Sequence, residues 1–153
     1  MRSNRITNEP EMFQIIDKCE ACYVSMVDQH NMPYVVPLNF GLKDGVIYLH
    51  SSRTGKKLDI LRNNKNVCIA FSTDHQLRFQ HEDVACSYVM KYRSILVYGH
   101  IEFIEDIEDK IEAMNLVMKK YVGREFSYNE PAIREVCVYK VVINEMTGKM
   151  LGY

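Results

Sequence analysis

Residues 34–61 constrain the fold more than any other part of the chain, because they encode a complete strand–turn–strand–loop–helix unit. Tyr34–Phe40 and Val46–His50 are rich in β-branched and aromatic residues, which favour strands. Between them, Asp44-Gly45 tolerates the positive φ angles that a two-residue hairpin turn needs. A short apolar helix over Lys57–Asn63 follows. The unit therefore ends where a strand leads, through a loop, into a helix N-terminus.

The polar run before this helix has the chemistry of a phosphate-binding loop. Hydroxyl side chains, a glycine and three cations follow one another at Ser51, Ser52, Arg53, Thr54, Gly55, Lys56 and Lys57. Hydroxyls and backbone N–H groups at a helix N-terminus can bind phosphate oxygens, and the helix dipole favours the anion. Neither the Walker spacing nor the dinucleotide-binding glycine pattern is present. A plain solvated loop explains the same residues, and the local sequence leaves both interpretations open.

Composition is that of an ordinary globular protein. The 153 residues suit one domain spanning residues 1–153. A formal net charge of −1 argues against bulk nucleic-acid binding. The first residues lack an apolar signal region and no run reaches membrane-spanning length, so we expect a cytoplasmic protein without a membrane partner. Five cysteines in such a chain indicate reduced thiols.

The strand pattern predicts a mainly β fold. Six runs read as strands: residues 21–27, 34–40, 46–50, 66–73, 92–105 and 136–143. We expect the first three to form an antiparallel meander and Gly99 to mark a bulge. A sheet this rich in strands tends to close and so remove its edges, which favours a six-stranded antiparallel barrel with flanking helices. An open α+β sandwich is the alternative.

Helical and loop segments fill the gaps between the strands. A first helix starts near Thr7–Glu11 and ends near Lys18. Lys57–Asn63 is a short crossover helix, and the one long helix covers residues 106–121 before Gly123. One helical turn is expected near Pro131–Arg134. The polar segment 74–83 reads as a loop, either a lid that carries His75, Arg78 and His81 or a plain solvated loop, and residues 145–153 read as a tail.

Cys19 and Cys22 form a C-x-x-C pair where the first helix meets the first strand. A thioredoxin-like redox motif requires a different context. Half a zinc site would need further ligands, for which His75, His81 and Cys86 are available, but the spacing fits no standard zinc pattern. Two reduced thiols are the simpler interpretation, and we expect no metal.

Five motifs, taken in order, resemble those of one protein family: VPLNFG (36–41), IYLHSS (47–52), GKKLDIL (55–61), CSYVMKYRSI (86–95) and EMTGK (145–149). Together they are similar to the flavin-binding split-barrel proteins related to pyridoxamine 5′-phosphate oxidase, over about residues 5–149. The most similar branch is the one named for 5-nitroimidazole resistance. The resemblance implies an FMN-binding split β-barrel and a homodimer, with FMN in two clefts at the subunit interface.

The resemblance also implies which residues form the site. Pro37, Leu38, Asn39 and Phe40 match the strand whose backbone lies along the isoalloxazine ring. His50 and Ser51 match the strand end at the ribityl phosphate, and Lys56 and Lys57 match the basic pair that binds the phosphate. Tyr92, Arg93 and Ser94 match a segment that approaches the cleft, by family pattern from the partner subunit.

The function implied is that of an FMN-dependent oxidoreductase. NADH or NADPH would reduce the flavin, which would reduce a small organic acceptor such as a nitroimidazole. His50 and Tyr92 are the candidate catalytic residues, although His50 also fits a structural role. The C-terminal VVINEMTGKMLGY has no equivalent of the substrate-binding Arg–His pair of pyridoxamine phosphate oxidases, so we do not expect that activity. The alternative is a non-enzymatic protein that binds flavin or haem.

Overall fold

The computed structural model describes residues 2–153 and contains, over that range, eight β-strands and four α-helices. The strands are β1 (Asn4–Ile6), β2 (Cys22–Val27), β3 (Pro33–Leu38), β4 (Phe40–Lys43), β5 (Val46–Ser52), β6 (Asn66–Arg78), β7 (Val89–Ile104) and β8 (Val136–Leu151). The helices are α1 (Glu9–Lys18), α2 (Lys56–Asn63), α3 (Ile107–Val122) and α4 (Glu130–Arg134). No helix within the described range is both long and apolar enough to cross a lipid bilayer.

Short polar side chains start three of the four helices. Asn8, Asp106 and Asn129 each accept a hydrogen bond from a backbone N–H in the first turn, at 2.8, 3.0 and 2.8 Å, which satisfies a donor that the helix leaves free. Gly123 ends α3 with a φ of 81°, a conformation that glycine adopts without steric cost. The predicted positions of the first helix and of the long helix are confirmed.

The strands form one antiparallel sheet whose order is β3-β2-β6-β7-β8-β5-β4, with β1 added to β8. The two ends of this path, β3 and β4, follow each other in the chain and are separated only by Asn39. The sheet must therefore curve round until its two ends lie side by side, which makes a barrel that is open along one seam. The predicted mainly β, antiparallel split-barrel fold is confirmed, with helices on its flanks.

The predicted number of six strands is wrong. The expected strand Tyr34–Phe40 is interrupted at Asn39, because its first part pairs with β2 and its last residue begins β4, which pairs with β5. β3 and β5 are therefore not neighbours, and the expected meander of the first three strands does not form. The short strand β1 was not expected from its sequence.

Two long strands also extend beyond their predicted ends. β6 continues to Arg78 through a segment predicted to be a loop, and β8 continues to Leu151 through a segment predicted to be a tail. Both extensions pair with the first half of β7. In β8 the extension shows the alternation of exposed and buried positions that marks a strand. Glu145, Thr147 and Lys149 are exposed, and the residues between them are half-buried or buried. The register shift at Gly99 confirms the expected bulge.

The barrel interior holds the main core. Its largest fully buried side chains include Tyr139, Phe40 and Phe71, and the Phe40 and Phe71 rings meet edge to face at 5.1 Å. A second, smaller cluster lies between β8 and the helices α3 and α4. On the outer face of β2, β3 and β7, Tyr23, Val35 and Tyr98 remain exposed. That face of the barrel has no apolar cover within residues 2–153.

Candidate functional site

The loop between β5 and α2 is shaped by its own side chains. The Ser51 hydroxyl donates to the carbonyl of Ser52 at 2.9 Å, and the Ser52 hydroxyl donates to the carbonyl of Thr54 at 2.9 Å. From α2, the guanidinium of Arg62 donates to the carbonyl of Arg53 at 3.0 Å. These contacts hold the loop in one conformation directly before the helix, at the position where the sequence predicted a phosphate-binding loop.

The N-terminus of α2 is open to a ligand. Its N-cap is Gly55, with a φ of 128°, and no side chain caps the first turn. The carbonyl of Gly55 accepts from the N–H groups of Leu58 and Asp59, at 3.1 Å each. The earlier N–H groups, those of Lys56 and Lys57, cannot be satisfied within the helix. Two donors and the positive end of the helix dipole therefore lie at one small surface, an arrangement that suits an anion.

Two cations without acidic partners lie beside these donors. The ammonium of Lys56 is exposed and lies 4.7 Å from the centre of the Tyr34 ring, while Lys57 is half-buried. Across residues 2–153, neither ammonium has a carboxylate oxygen within 4.0 Å. By contrast, Arg53 in the same loop pairs with Glu135 at 3.5 Å. Lys56 and Lys57 thus bring positive charge to the uncapped helix end without direct ion pairs, although Asp28 and Asp59 line the cavity beside Lys56.

His50 and Ser51 lie at the end of β5 but face opposite sides of the strand. His50 pairs with Val138 of β8, which belongs to the cluster under α3 and α4. Burial lowers the pKa of His50 below its ordinary value, and the positive charge of Lys57 lowers it further. The imidazole is therefore neutral near pH 7, with one ring nitrogen able to accept a proton and the other able to donate one.

The four residues Pro37 to Phe40 lie at the seam of the barrel. Pro37 and Asn39 are exposed and Leu38 is half-buried, whereas the Phe40 ring is fully buried in the core. Only the backbone of Phe40 could therefore contact a ligand. Its N–H donates to the phenol oxygen of Tyr121 at 3.3 Å, and this contact ties the seam to the last turn of α3.

Tyr92, Arg93 and Ser94 lie far from the α2 N-terminus within this chain. His50 pairs with Val138 near the start of β8, while Tyr92 pairs with Leu151 at its end. At about 3.3 Å per residue, these two points are roughly 40 Å apart along the strand. A site that uses both groups of residues would span most of the length of β8.

Tyr92, Arg93 and Ser94 also differ in whether their side chains are free to contact another molecule. Arg93 points inward, where its guanidinium donates to Asp74 at 2.7 Å and lies 3.8 Å from the centre of the Tyr153 ring. Tyr92 and Ser94 alternate with Arg93 along β7 and so face the outer side of the sheet, which lacks cover. A second chain could reach these two side chains directly.

The cavities on the surface of the barrel differ in size and in the charge of their linings. A groove of about 460 Å³ lies between the start of α1 and the β4–β5 turn, lined in part by Glu9, Asp44 and Glu145, and its acidic rim does not suit a phosphate. The cavity beside Lys56 is also lined by Asp28 and Asp59 and measures only about 150 Å³, whereas pockets for drug-sized ligands span roughly 300–1,000 Å³. This end of α2 therefore needs further walls to enclose a large ligand.

Comparison with known proteins identifies the family. The sequence pattern that defines the pyridoxamine 5′-phosphate oxidase family matches residues 8–150. The chain belongs to the pyridoxamine 5′-phosphate oxidase family. No curated protein matches it significantly.

Solved structures of other proteins match this chain over most of its length. A candidate 5-nitroimidazole antibiotic resistance protein from Bacteroides thetaiotaomicron is 42% identical, with a TM-score of 0.88, and the match covers 97% of this chain and 87% of that one. Flavocytochrome Anf3 from Azotobacter vinelandii is 20% identical, with a TM-score of 0.83 and coverage of 97% and 70%. A FAD and heme binding protein from Mycobacterium smegmatis is 14% identical, with a TM-score of 0.85 and coverage of 97% and 74%. The flavocytochrome and the FAD and heme binding protein share the fold of this chain.

Tyr139 and Tyr121 are two residues near the site that the sequence analysis missed. Tyr139 is fully buried beside Leu49 of β5, and its hydroxyl has no hydrogen-bond partner within residues 2–153. Burial raises its pKa to about 12, so the phenol keeps its proton. Alternation in the last strand indicated a buried position here but not a polar function. Tyr121 was seen only as part of the apolar stripe of the long helix, because its contacts are far away in sequence.

The cysteine pair does not belong to this family site. The thiol of Cys19 donates to the carbonyl of Ile15 at 3.3 Å, and that of Cys22 donates to the carbonyl of Leu38 at 3.5 Å. Both side chains are buried, and burial raises the pKa of Cys22 to about 12, which makes its thiolate scarce. Within residues 2–153 no three His, Cys, Asp or Glu side chains are grouped as a metal would need.

Proposed function

We propose that this chain is an FMN-dependent oxidoreductase that works as a homodimer and passes electrons from NADH or NADPH to a small organic acceptor such as a nitroimidazole. The observation that carries the proposal is the uncapped N-terminus of α2 beside Lys56 and Lys57, neither of which has a carboxylate partner within the described residues. The 42% identity to a candidate nitroimidazole resistance protein supports the choice of acceptor.

The residues at the helix end fit the phosphate of FMN. A phosphate monoester is close to a dianion at neutral pH, and two ammonium groups with two backbone N–H donors match its charge and its oxygen atoms. Lys56 would approach from solvent and Lys57 from its half-buried position. Charge-assisted hydrogen bonds contribute roughly 1.5–3 kcal/mol each, so these two lysines can account for much of the preference for a phosphorylated flavin.

The remaining residues would hold the ring and exclude water. The bound flavin supplies the electron-transfer chemistry, and the protein supplies its orientation and surroundings. The exposed backbone around Pro37 and Asn39, at the seam, would lie along the ring, and Tyr121 keeps that backbone in place through Phe40. A neutral His50 can donate a hydrogen bond from one ring nitrogen and accept one at the other without adding charge to the site.

A second copy of the chain would complete each cleft. Tyr92 and Ser94 face the uncovered side of the sheet and lie at the opposite end of β8 from His50. A two-fold pairing of two barrels through that side would bring the Tyr92 segment of one chain toward the α2 end of the other. Isologous dimers of this kind are the commonest oligomers, and the small cavity beside Lys56 would gain its missing walls.

The test compares FMN with riboflavin, which lacks the phosphate. In the double variant Lys56→Ala/Lys57→Ala we expect FMN affinity to fall at least about 100-fold, while riboflavin affinity changes little. The control is Lys65→Ala/Lys119→Ala, which removes the same charge from exposed lysines elsewhere. Unchanged FMN affinity in the first variant, measured by flavin fluorescence, would show that the phosphate lies elsewhere.

Turnover separates the oxidoreductase from a non-enzymatic flavin or haem protein. The absorbance spectrum of the purified protein identifies the cofactor, since a Soret band indicates haem. Under anaerobic conditions, NADH or NADPH should bleach a bound flavin, and a nitroimidazole should restore its colour. A bound flavin that neither nucleotide reduces would favour the binding protein.

A further inference from the structure

A β-bulge interrupts the pairing of β6 with β7 directly opposite Tyr92. The pairs on either side of it are Thr73 with Arg93 and Gln76 with Lys91. Two residues of β6, Asp74 and His75, therefore face Tyr92 alone. Bulges of this kind change the direction of a side chain and are frequent next to active sites. This one lies beside the candidate catalytic residue of β7.

The extra residue of the bulge decides which face of the sheet His75 takes. Successive side chains of a strand alternate between faces, and Phe71 is buried in the barrel core. An unbroken strand would therefore turn residue 75 toward the same inner side, but the extra residue reverses the alternation and turns it outward. Ser72 also faces outward, because it pairs with Ser94. His75 thus lies on the same face as Tyr92 and Ser94.

The imidazole of His75 is held through one of its two nitrogens. Its Nε2 lies 2.7 Å from the hydroxyl oxygen of Ser72, three residues earlier in the same strand. Within residues 2–153 this is the one hydrogen bond of the side chain, which is exposed. The Ser72 contact therefore orients the ring and leaves Nδ1 free for a ligand.

The backbone that carries His75 is held by contacts with three other segments. Asp74 has a φ of 58°, which is uncommon for a residue other than glycine, and residues in such conformations cluster at functional sites. Its carboxylate accepts from Lys18 of α1 and from Arg93 of β7, at 2.6 and 2.7 Å. Its carbonyl accepts from the Tyr153 hydroxyl at 2.7 Å. The exposed histidine is therefore attached to a fixed piece of backbone, as a binding residue requires.

The charges around the bulge favour a ligand with electron-rich oxygen atoms. The ammonium of Lys91 and the guanidinium of Arg93 lie 3.9 and 3.8 Å from the centre of the Tyr153 ring, whose hydroxyl contacts the bulge. Together with Lys18, they give the bulge more positive than negative charge, since the side-chain carboxylate among them is that of Asp74. Such a field repels an organic cation and attracts the partly negative oxygen atoms of a nitro group.

We infer that His75 is a substrate-binding residue, whose Nδ1 donates a hydrogen bond to an oxygen atom of the electron acceptor. This rests on the proposed function, in which the Tyr92 segment of one chain approaches the flavin bound by the other. A nitro group offers oxygen atoms that accept hydrogen bonds and has no donor, so Nδ1 must carry the proton. The Ser72 hydroxyl then donates to Nε2 and selects this tautomer, which makes Ser72 a positioning residue.

The first test measures the reduction of 2-methyl-5-nitroimidazole by the FMN-loaded full chain. In His75→Ala we expect KM for the nitroimidazole to rise on the order of tenfold, as the loss of one hydrogen bond implies, and kcat to change less. His75→Asn should keep KM within about threefold of wild type, because its amide nitrogen is as many bonds from the backbone as Nδ1. An unchanged KM in His75→Ala overturns the inference.

His81→Ala is the matched control for the kinetic test. His81 is a second exposed histidine of the same segment, and its hydrogen bonds to Ser87 come from its backbone. We expect KM for the nitroimidazole to stay within about twofold of wild type. A rise equal to that in His75→Ala would show that any change in this segment disturbs the substrate, which overturns a specific role of His75.

The second test observes the tautomer of His75 by nitrogen NMR, with its signals assigned by their loss in His75→Ala. In wild type we expect the proton on Nδ1, and in Ser72→Ala a mixture of both tautomers together with a raised KM. A proton on Nε2 in wild type overturns the inference. A merely structural contribution of Ser72 would leave the tautomer of His75 unchanged.

The FMN content of the same samples separates this inference from the proposed function. An FMN protein that reduces the nitroimidazole with equal KM in wild type and His75→Ala overturns the inference alone. A protein without FMN overturns the proposed function, and 2-methyl-5-nitroimidazole is then added to it during the NMR measurement. A shift of the His75 signals supports the inference in that case, and unchanged signals overturn it as well.

Discussion

The phenol of Tyr121 joins the two ends of the barrel seam, because it accepts a hydrogen bond from the N–H of Phe40 at 3.3 Å and donates one to the carbonyl of Glu20 at 2.6 Å. Phe40 is the first residue of β4, and Glu20 precedes β2, the partner of β3. The next residue along the chain from Phe40 is Gly41, where a Cβ would lie 3.0 Å from the Cβ of Leu116. The last turns of α3 are therefore fitted closely to the seam.

Tyr121→Phe should separate the role of this hydroxyl from that of the ring. The variant loses two hydrogen bonds at a partly exposed position, and we expect a loss of about 1–2 kcal/mol in the free energy of unfolding. The backbone at Asn39 should become more mobile, since its neighbour is no longer held. Hydrogen exchange at Phe40 checks this. Unchanged exchange at that amide, with normal stability, would contradict the positional role.

Gly99→Ala adds only one methyl group, but we expect it to lower the free energy of unfolding strongly. At the bulge between β7 and β8, a Cβ on residue 99 would overlap the backbone carbonyl of Val142. Backbone cannot rotate away as a side chain can, so we expect a loss of at least about 2 kcal/mol, seen by urea unfolding. Val142→Ala in the same background should not restore stability, because the overlap is with the carbonyl. Recovery would mean that the Val142 side chain causes the strain.

The parts of the fold that could be predicted are those set by neighbouring residues. Asp44 and Gly45 have φ angles of 50° and 74°, as the hairpin sequence indicated, and the helix ends follow their capping residues. The break at Asn39 could not be predicted, because it depends on which distant strands pair with each side of it. The extension of β6 and β7 over residues 74–92 was missed for a related reason: its strands pair without a buried face, so they lack the alternation that marks a half-buried strand.

Asp74→Asn should reveal how much the ion pairs of Asp74 in β6 with α1 and β7 stabilise the fold. The Asp74 carboxylate accepts hydrogen bonds from Lys18 at 2.6 Å and Arg93 at 2.7 Å, and Lys18, then Arg93, lower its pKa. Because the pKa of Asp74 is lower in the folded chain, its ionised carboxylate stabilises the fold above the unfolded pKa of about 3.9. This stabilisation is lost as pH falls through the pKa of the folded state. The variant should therefore be less stable than wild type at pH 7, by about 1 kcal/mol, and this difference should shrink as pH falls through the lowered pKa of Asp74.

Asp44→Asn is the matched control for this comparison. Asp44 also has a positive φ, which asparagine tolerates, but within residues 2–153 its carboxylate has no cation within 4.0 Å. We expect its melting temperature at pH 7 to stay close to that of wild type. An equal effect in the two variants would show that backbone conformation, and not the Lys18 and Arg93 contacts, is responsible.

Only the part of the candidate site that consecutive residues form could be predicted from the sequence. The run from Ser51 to Lys57 carries its phosphate chemistry in consecutive residues, and the structure places that run at an uncapped helix end. Family resemblance was needed to associate Tyr92 with it, because the two lie at opposite ends of β8. No property of the local sequence distinguishes the inward Arg93, paired with Asp74, from its outward neighbours. That distinction depends on which face of the sheet each position of β7 takes, since successive side chains alternate, and on the residues that pack against that face.

The titration of His50 should report directly on Lys57. Burial is the larger cause of the lowered pKa of His50, and the charge of Lys57 is the second. We therefore expect the imidazole of the wild type to titrate below 6.5 in proton NMR. In Lys57→Ala its pKa should rise part of the way back. The opposite shift would mean that the side chain of Lys57 acts by shielding His50 from water.

The same lowered pKa predicts a loss of stability in acid. The unfolded chain binds a proton on His50 near pH 6.5, while the folded chain does not until a lower pH, so the free energy of unfolding falls as pH drops through that interval. His50→Gln removes this group, and its melting temperature should fall less than that of wild type between pH 7.5 and about pH 5. A His50→Gln profile parallel to wild type would show that the imidazole is as free to take up a proton in the fold as in the unfolded chain.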